Sequence, residues 1–440
     1  MTRRVAAILS AGLGLVASMM PVHARPTLAA DPPPAGTAAA ASPAPMERIV
    51  VTLANDARRR ASDFLDDMQA LHGLRGSAPF SLKSIGATCL VLEIPAGTDT
   101  AAVLARLVSD PRLSAAQRVN TFRTRAAEEP DQEEAQEEAP RAPLPPANAP
   151  SREGADRYQH LQKGYGTVRA EAAHRWATGK GVRVALVDTP ILADHPDLKG
   201  QVVKQRLFVD SSSDPWAMRH ATAMAGVIAA KRNGVGIVGV APASRLISLG
   251  ACRLEKTGSA AALCDTDALA MALDTAIKQR ADVIVLSLGG PEDPLLARLV
   301  AAAIASGSVV VVASNWRDRA NAGFPSLRGV LPAQEPAPAG AVVHPWNPDE
   351  APIGGPGSGI LTSVPPSIWD YLRGDSLSAA HVAGVVALIR ERAPKMSASE
   401  IGLLLRSTAQ PRIGLSPEMG TGFIDACSAV AHLAGATCPQ

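Results

Sequence analysis

The chain shows two successive patterns of apolar and polar positions. Between residues 46 and 125, apolar runs typical of strands at Arg48–Leu53 and Cys89–Ile94 alternate with helical spacing at Ala57–His72 and Thr100–Ser109. The order strand, helix, strand, helix predicts a small α+β domain over this segment.

From about residue 156 to residue 440 the pattern changes. Short, almost continuously apolar runs occur at Val182–Val187, Asp282–Leu288 and Val309–Ala313. Helical spacing lies between them, at Ala221–Lys231 and Asp265–Gln279. Strands that are covered on both faces have such uninterrupted runs. We therefore expect an α/β domain, a doubly wound and mostly parallel sheet with helices on both faces.

Composition narrows the function classes. The chain has 440 residues, of which 47% are hydrophobic and 19% charged, so it can bury a large core and is not disordered throughout. Its 43 basic and 41 acidic residues nearly balance, which excludes a polybasic binder of nucleic acid or membrane surfaces. Aromatic residues make up 3% of the chain, which argues against base-stacking platforms. We expect no nucleic-acid partner.

The N-terminus has the pattern of an export signal. Arg3 and Arg4 precede the apolar run Val5–Met20, and small residues surround a cleavage position after Ala24. This predicts a signal peptide over residues 1–24. A membrane anchor is the alternative, but it would need a somewhat longer run. No later stretch is apolar enough to span a bilayer, so the mature protein is expected outside the cytoplasm, in a periplasm or the medium.

Two stretches have the composition of connectors. Residues 25–45 are rich in Ala and Pro and offer little to bury, which predicts a flexible leader. Residues 126–155 begin with a dense acidic cluster and continue in a Pro/Ala run. Because like charges repel and proline stiffens the chain, we expect an exposed linker there, open to proteolytic cutting.

The five cysteines fit an exported chain. Cys252 lies near Cys264 in sequence, and Cys427 lies near Cys438, so each pair could close a short loop and stabilise the fold by roughly 3 kcal/mol. Cys89 is the odd one out. Five reduced, buried cysteines remain the alternative, and no Cys-x-x-Cys spacing predicts zinc.

Four segments carry candidate chemistry. Asp188 follows the first apolar run of the α/β domain, His220 opens a helical stretch, Asn315 follows the last apolar run, and Ser376 opens another helical stretch. Functional groups gather at the carboxyl ends of parallel strands. Each residue alone has an ordinary structural interpretation, such as a turn cap, a core histidine or a helix cap. Their joint occurrence in this order favours a catalytic site.

Together these segments resemble the subtilisin-like serine proteases, the subtilase family, which is itself a reference case for triads in the order Asp, His, Ser. The resemblance covers about residues 159–427 and includes Gly239–Ala243, Ser287–Gly290 and Gly420–Gly422. It implies a subtilisin-like fold and a serine endopeptidase that cuts protein or peptide substrates. Residues 46–125 resemble, by order and location, the family's inhibitory propeptide.

A serine hydroxyl is a poor nucleophile until an adjacent base takes its proton. His220 is the candidate base for Ser376, Asp188 would hold the imidazole tautomer, and Asn315 would donate to the oxyanion. By the resemblance, the substrate-binding residues would be Ser287, Leu288 and Gly289 as one wall, and Ala313 and Ser314 as the pocket floor. This chemistry requires no cofactor and no metal at the catalytic site.

Several residues depart from the family pattern. Pro190 and Ala221 replace glycines, Ala223 replaces a second histidine, Asp375 stands where Thr or Ser is usual, and Ala380 replaces proline. Residues 325–360 are Pro-rich and lack the usual strand sequence. Asp375 adds a negative charge that could disturb His220. The alternative is therefore a catalytically impaired relative that binds peptides without cleaving them.

Three further possibilities are weaker. Asp197 and residues 231–237 match the spacing of a calcium loop of subtilisins, which makes a structural calcium possible, although an ordinary Asn-Gly turn explains the same residues. An α/β-hydrolase esterase would need Gly-x-Ser-x-Gly and the order Ser, Asp, His, which this chain lacks. A dinucleotide-binding enzyme would need Gly-x-Gly-x-x-Gly. Without heptads or an exposed apolar stripe, a monomer is expected.

Overall fold

The computed structural model describes residues 47–54, 61–124, 155–210, 214–315, 323–338, 351–365, 368–411 and 422–439. The predicted signal peptide, the predicted leader and nearly all of the predicted linker lie outside the described residues.

The helices are α1 (Ala61–His72), α2 (Thr100–Val108), α3 (Lys163–Thr167), α4 (Ala170–Ala173), α5 (Arg219–Ala229), α6 (Thr266–Lys278), α7 (Pro294–Ala305), α8 (Asp375–Arg392), α9 (Ala398–Ser407) and α10 (Ala426–Leu433). The strands are β1 (Arg48–Leu53), β2 (Arg75–Gly76), β3 (Phe80–Leu82), β4 (Ala87–Glu93), β5 (Leu113–Arg118), β6 (Thr121–Thr124), β7 (Arg183–Asp188), β8 (Val202–Leu207), β9 (Arg245–Gly250), β10 (Cys252–Leu254), β11 (Ala262–Asp265), β12 (Val283–Leu286), β13 (Leu288–Gly289), β14 (Val309–Ala313), β15 (Leu331–Gln334), β16 (Ile353–Gly354), β17 (Ile360–Val364) and β18 (Ile368–Leu372).

The N-terminal domain, residues 47–124, is an antiparallel sheet with two helices. Its strands lie in the order β2-β4-β1-β5, with β3 also paired to β4. Ile49 and Val51 point to one face and pack with Phe64 of α1. Val50, between them, belongs to a core shared with α6 and α7, because successive strand residues point to opposite faces. The domain therefore packs directly on the α/β part of the chain.

The central sheet has seven parallel strands in the order β16-β15-β14-β12-β7-β9-β8. Val184 and Leu186 of β7 pack on the side of α5 and α8, whereas Ala185 and Val187 pack on the side of α6 and α7. Helices thus cover both faces, and this explains why the strands read as unbroken apolar runs. The predicted α/β fold, with a mostly parallel sheet, is confirmed.

Strand β15 corrects the expectation that residues 325–360 lack the usual strand. Ala333 faces β14, where its carbonyl accepts a 2.8 Å hydrogen bond from Ser314 N–H. Pro332 therefore faces the opposite edge, and β16 begins only opposite Ala333. Because no neighbouring strand needs the missing N–H at that point, proline is tolerated in this strand.

Both predicted cysteine pairs form disulfides in the structure. Cys252 and Cys264 are directly opposite each other in the β10–β11 hairpin, and Cys427 of α10 bonds to Cys438. Cys89 is buried in β4, with its Sγ 3.5 Å from Thr52 Oγ1. None of the helices in the described part of the chain is long and apolar enough to cross a membrane.

Candidate active site

Three polar side chains form a continuous hydrogen-bonded line. His220 Nδ1 lies 2.8 Å from each carboxylate oxygen of Asp188, and His220 Nε2 lies 3.1 Å from Ser376 Oγ. All three residues are buried. With the proton on Nδ1 shared with Asp188, Nε2 carries the lone pair that faces the hydroxyl. This arrangement can remove the proton of Ser376.

Three secondary-structure ends bring these residues together. Asp188 ends β7, His220 lies in the first turn of α5, and Ser376 lies in the first turn of α8. Gly374 precedes that turn with φ of 144°, a conformation that residues with a Cβ rarely adopt. The glycine therefore allows the chain to turn sharply into α8 and present Ser376 at its N-terminus.

The remaining predicted residues lie at the same edge of the sheet. Asn315 follows β14 by two residues, and Ser287 follows β12 directly. Because β14, β12 and β7 are adjacent and parallel, their carboxyl ends, and with them Asp188, share one edge. Ala313 and Ser314 are buried where β14 meets β15.

The residues that depart from the family pattern are accommodated locally. Ala221 N–H donates to Thr189 Oγ1 at 3.0 Å, which ties the start of α5 to the end of β7. Asp375 Oδ1 accepts a 3.0 Å hydrogen bond from the Glu335 backbone N–H. Ala223 and Ala380 are fully buried in the core. The Asp188–His220–Ser376 line is intact beside all of them.

An N-terminal strand occupies the cleft beside this line. Strand β6 lies between β11 and β13, so that Arg123 faces Leu263 on one side and Gly289 on the other. Thr124 faces Leu288. Of the three residues of the predicted wall, Leu288 and Gly289 pair with β6, and Ser287 directly precedes them.

Phe122 anchors this strand and was missed from the sequence. Its ring lies 5.1 Å from that of Phe324, and a Cβ on Gly290 would lie 2.2 Å from Phe122 Cδ1. The glycine thus leaves room for the ring. The only signal in the sequence is the alternation of polar and apolar residues in Thr121–Thr124, which is too short to predict a strand alone.

The loop with calcium-like spacing has hydrogen-bond donors where calcium would need oxygen. Backbone N–H groups of Asn233, Gly234 and Val235 converge on Asp156 Oδ1 at 2.9, 2.7 and 3.3 Å. Asn233 Oδ1 accepts a 2.9 Å bond from Val235 N–H, which closes a turn. A calcium shell consists of six to eight oxygens turned toward the ion. These groups do not fit that shell.

Asp197, the other residue of the calcium pattern, is held by protein donors. Its Oδ2 accepts hydrogen bonds from Trp369 Nε1 at 2.6 Å and Ser363 Oγ at 3.0 Å, and burial raises its pKa. Its Oδ1 is buried, has no hydrogen-bond partner among the described residues, and packs against Gly236, where a Cβ would lie 2.5 Å away. Among the described residues, no group of three or more His, Cys, Asp or Glu side chains is placed to hold a metal ion.

Comparisons with known proteins agree on one family. A model of the subtilase family matches residues 179–340 and 356–422, which include Asp188, His220 and Ser376. An intracellular serine protease of Paenibacillus polymyxa is 34% identical over 251 residues, which cover 53% of this chain and 74% of that protein. Subtilisin of Bacillus pumilus is 32% identical over 280 residues, which cover 61% of this chain and 98% of the relative.

The structural likeness extends further along the chain. Fervidolysin of Fervidobacterium pennivorans, a keratinolytic enzyme related to subtilisin, aligns over 90% of this chain with a TM-score of 0.68 and 21% identity. This chain spans 62% of the fervidolysin chain. At that identity the likeness concerns the fold.

Proposed function

This chain belongs to the subtilase family of serine peptidases, and from that premise we propose that Asp188, His220 and Ser376 are its catalytic triad. The observation that carries the proposal is the 3.1 Å separation of His220 Nε2 from Ser376 Oγ, with Asp188 at 2.8 Å on the other ring nitrogen. Substrates are proteins or peptides.

The reaction proceeds in two halves. His220 Nε2 takes the Ser376 proton as Oγ attacks the peptide carbonyl, and Asp188 stabilises the imidazolium that forms. His220 then gives this proton to the departing amine, which leaves an acyl ester on Ser376. A water molecule, deprotonated by His220, attacks the ester; the acid leaves and the proton returns to Ser376.

We propose that the side-chain amide of Asn315 donates a hydrogen bond to the oxyanion that forms during the reaction. Negative charge develops on the carbonyl oxygen during both attacks, and preorganised donors at that point stabilise the transition state. The backbone N–H of Ser376, at the start of α8, is the second donor, supported by the partial positive charge of the helix N-terminus. The position of Asn315 beyond β14, at the catalytic edge of the sheet, supports this role.

We further propose that the N-terminal domain is an inhibitory propeptide. Strand β6 supports this role, because it uses the backbone groups with which an extended substrate would pair. Arg48 also pairs with Asp265, at the end of β11, at 2.5 Å, and Ser84 Oγ donates to Asp274 of α6 at 2.7 Å, so polar contacts both beside β6 and away from it dock the domain. Cutting after β6, in the segment that begins at Arg125, would release it.

Export of the protein from the cytoplasm is part of the same proposal. The charged and apolar residues of 1–24, and two disulfides in the structure, support export to a periplasm or the medium. One relative bears the name of an intracellular protease, so the family alone does not assign a compartment. Fractionation of cells that express the full chain tests export, and light scattering of the purified protein tests the expected monomer.

The first experiment compares the intact masses of the wild type and Ser376→Ala. If the triad catalyses cleavage of the precursor, the mass of the wild type should decrease by that of the N-terminal domain, whereas Ser376→Ala should keep its full mass. Adding wild-type enzyme to the Ser376→Ala chain then tests whether the cleavage site of that chain is accessible. If only the nucleophile is missing, the added enzyme should cut the Ser376→Ala chain at the same bond. A Ser376→Ala chain that matures alone as fast as the wild type would contradict the triad.

A further inference from the structure

Two side chains of strand β6 make polar contacts with one wall of the cleft. The pairing of β6 with β11 and β13 uses backbone groups, which any extended sequence can supply. The side chains of Arg123 and Thr124 do more, because each of them also contacts the hairpin that β10 and β11 form. These two contacts indicate which substrate side chains the cleft distinguishes.

The first contact involves the hydroxyl group of Thr124. The backbone N–H of Ala262 donates a 3.0 Å hydrogen bond to Thr124 Oγ1, and both residues are buried. A substrate with an apolar side chain at this position would not supply that acceptor. Because an unsatisfied buried donor weakens binding, a residue with a β-hydroxyl group, Thr or Ser, is favoured here.

The second contact is an ion pair between Arg123 and Glu255. Arg123 Nη2 donates to Glu255 Oε2 at 2.8 Å. Glu255 directly follows β10, and its backbone N–H donates to the Ala261 carbonyl at 3.1 Å. The disulfide between Cys252 and Cys264 joins the two strands of the same hairpin. The carboxylate of Glu255 is therefore carried by a constrained piece of backbone beside the cleft.

The neighbouring charges of the hairpin are engaged elsewhere. Arg253, two residues before Glu255, pairs with Asp265 at 3.3 Å. Lys256 lines a separate pocket, and Glu255 is not among the residues that line it. The pair of Arg123 and Glu255 is partly open to water, with 60% and 38% of the two side chains exposed, so its contribution to binding is small but specific for a positive charge.

We propose that this cleft selects substrates in which a basic residue is followed directly by Thr or Ser. Glu255 determines the preference for the basic residue, and the backbone N–H of Ala262 recognises the hydroxyl group. The inference rests on the proposed function and deepens it, because it takes β6 as the stand-in for a substrate strand.

The register of β6 defines the two substrate positions. The basic residue lies opposite Gly289, as Arg123 does, and the hydroxyl residue lies opposite Leu288, as Thr124 does. The precursor would be cut beyond β6, in the segment that begins at Arg125. Both selected residues therefore belong to the acyl side of the scissile bond.

The test uses mature enzyme from the full chain and quenched fluorogenic peptides with the sequence of residues 119–130. Wild type should cleave the parent peptide with a kcat/KM about threefold higher than a peptide with Arg123→Gln. The value should be about tenfold higher than for Thr124→Val, whereas Thr124→Ser should retain most of it. Salt at about 0.5 M should reduce the first preference and leave the second, because only the ion pair is screened.

Reversal of the charge tests Glu255 itself. Glu255→Gln should remove the preference for the parent over the Arg123→Gln peptide. Glu255→Lys should cleave a peptide with Arg123→Glu faster than the parent, and both variants should keep the preference for Thr124. The matched control is Glu171→Lys, at an exposed position of α4, which should behave like the wild type.

The outcomes are distinguishable. If no variant cleaves any peptide, the proposed function itself fails. If wild type cleaves the parent and Arg123→Gln peptides equally, or Glu255→Lys changes every rate without changing the ratios, Glu255 does not determine specificity. Equal cleavage of the parent and Thr124→Val peptides overturns the recognition of the hydroxyl group. Mass spectrometry identifies the bond that is cut, and a cut before Thr124 would also contradict the proposal.

Discussion

Gln117 of the N-terminal domain donates a 2.8 Å hydrogen bond from Nε2 to Asp293 Oδ1, the same oxygen that caps helix α7. That oxygen also accepts the backbone N–H groups of Leu295 and Leu296 at 3.1 Å. The N-terminal domain thus docks on a helix cap that belongs to the α/β part. One carboxylate serves both the stability of that part and the attachment of its neighbour.

This double role predicts different effects for two substitutions. Asp293→Ala removes an N-cap and should lower the free energy of unfolding of the mature enzyme by about 1 kcal/mol. Gln117→Ala should leave the mature enzyme unchanged and destabilise only the precursor. Denaturant unfolding of both forms, with the precursor kept intact by Ser376→Ala, measures how much each substitution lowers the free energy of unfolding of the precursor and of the mature enzyme. An equal effect of Asp293→Ala and Gln117→Ala on the precursor, with none on the mature form, would contradict it.

Asn315→Ala should lower kcat by about 10²–10³ while KM changes little, which is the size of effect that the loss of one oxyanion donor has in subtilisin, a relative of this chain. The reason is that its amide is proposed to bind charge that exists only in the transition state. Steady-state kinetics on a peptide substrate measure the effect. A rise in KM at constant kcat would instead assign Asn315 to substrate binding in the ground state.

Acid should destabilise the fold through His381. This side chain is buried in α8 with its Nδ1 2.8 Å from the Leu377 carbonyl, and burial lowers its pKa from 6.5 to about 4. Between these values the unfolded chain binds a proton that the folded chain excludes, so stability falls as pH decreases from about 6.5 to about 4. The loss from this residue is about 3 kcal/mol at most.

Denaturant unfolding of the inactive Ser376→Ala chain between pH 4 and pH 7 measures this loss. His381→Gln, in which an amide can still donate to the Leu377 carbonyl, should have a shallower pH dependence. Burial also lowers the pKa of His174 and His195, so part of the slope should remain. Identical slopes for both chains would exclude His381 as a major source.

Removal of calcium should leave the melting temperature unchanged. The backbone N–H groups of residues 233–235 point inward and donate to Asp156 Oδ1, in a place where a calcium site would need oxygens, so we expect EDTA to remove no ion from this loop. Asp156→Ala leaves these donors without their acceptor and should cost about 2–3 kcal/mol. The exposed Asp194→Ala is the matched control. A melting temperature that falls in EDTA and recovers with calcium would contradict this prediction.

Much of the fold and site could be predicted because the signals are local. Val309–Ala313 is a strand with the predicted bounds, and the short motifs around Asp188, His220 and Ser376 predict three residues that the structure brings within hydrogen-bonding distance of one another. Unbroken apolar runs require burial on both faces, which leaves few alternatives to a covered parallel sheet. The order of the motifs, Asp then His then Ser, then indicates the family and with it the subtilisin-like fold.

The features that the sequence does not predict depend on contacts with residues that are distant in sequence. Strand β6 exists because β11 and β13 lie on either side of it, more than a hundred residues away. Strand β15 contains a proline that is tolerated only because of where β16 begins. The donors at residues 233–235 could not be predicted, since residue spacing does not tell whether N–H or C=O groups point inward.

The four-stranded arrangement around β6 also limits which targets this peptidase can attack. Neighbouring strands lie about 4.8 Å apart, so β11 and β13 stand roughly 9.6 Å from each other, with room for one extended chain. A helix is about 10–12 Å wide with its side chains, and its backbone groups are already paired with each other. We therefore expect a target segment to unfold locally into an extended strand before it can reach Ser376, so that local unfolding of the target is required before any preference for its sequence can act.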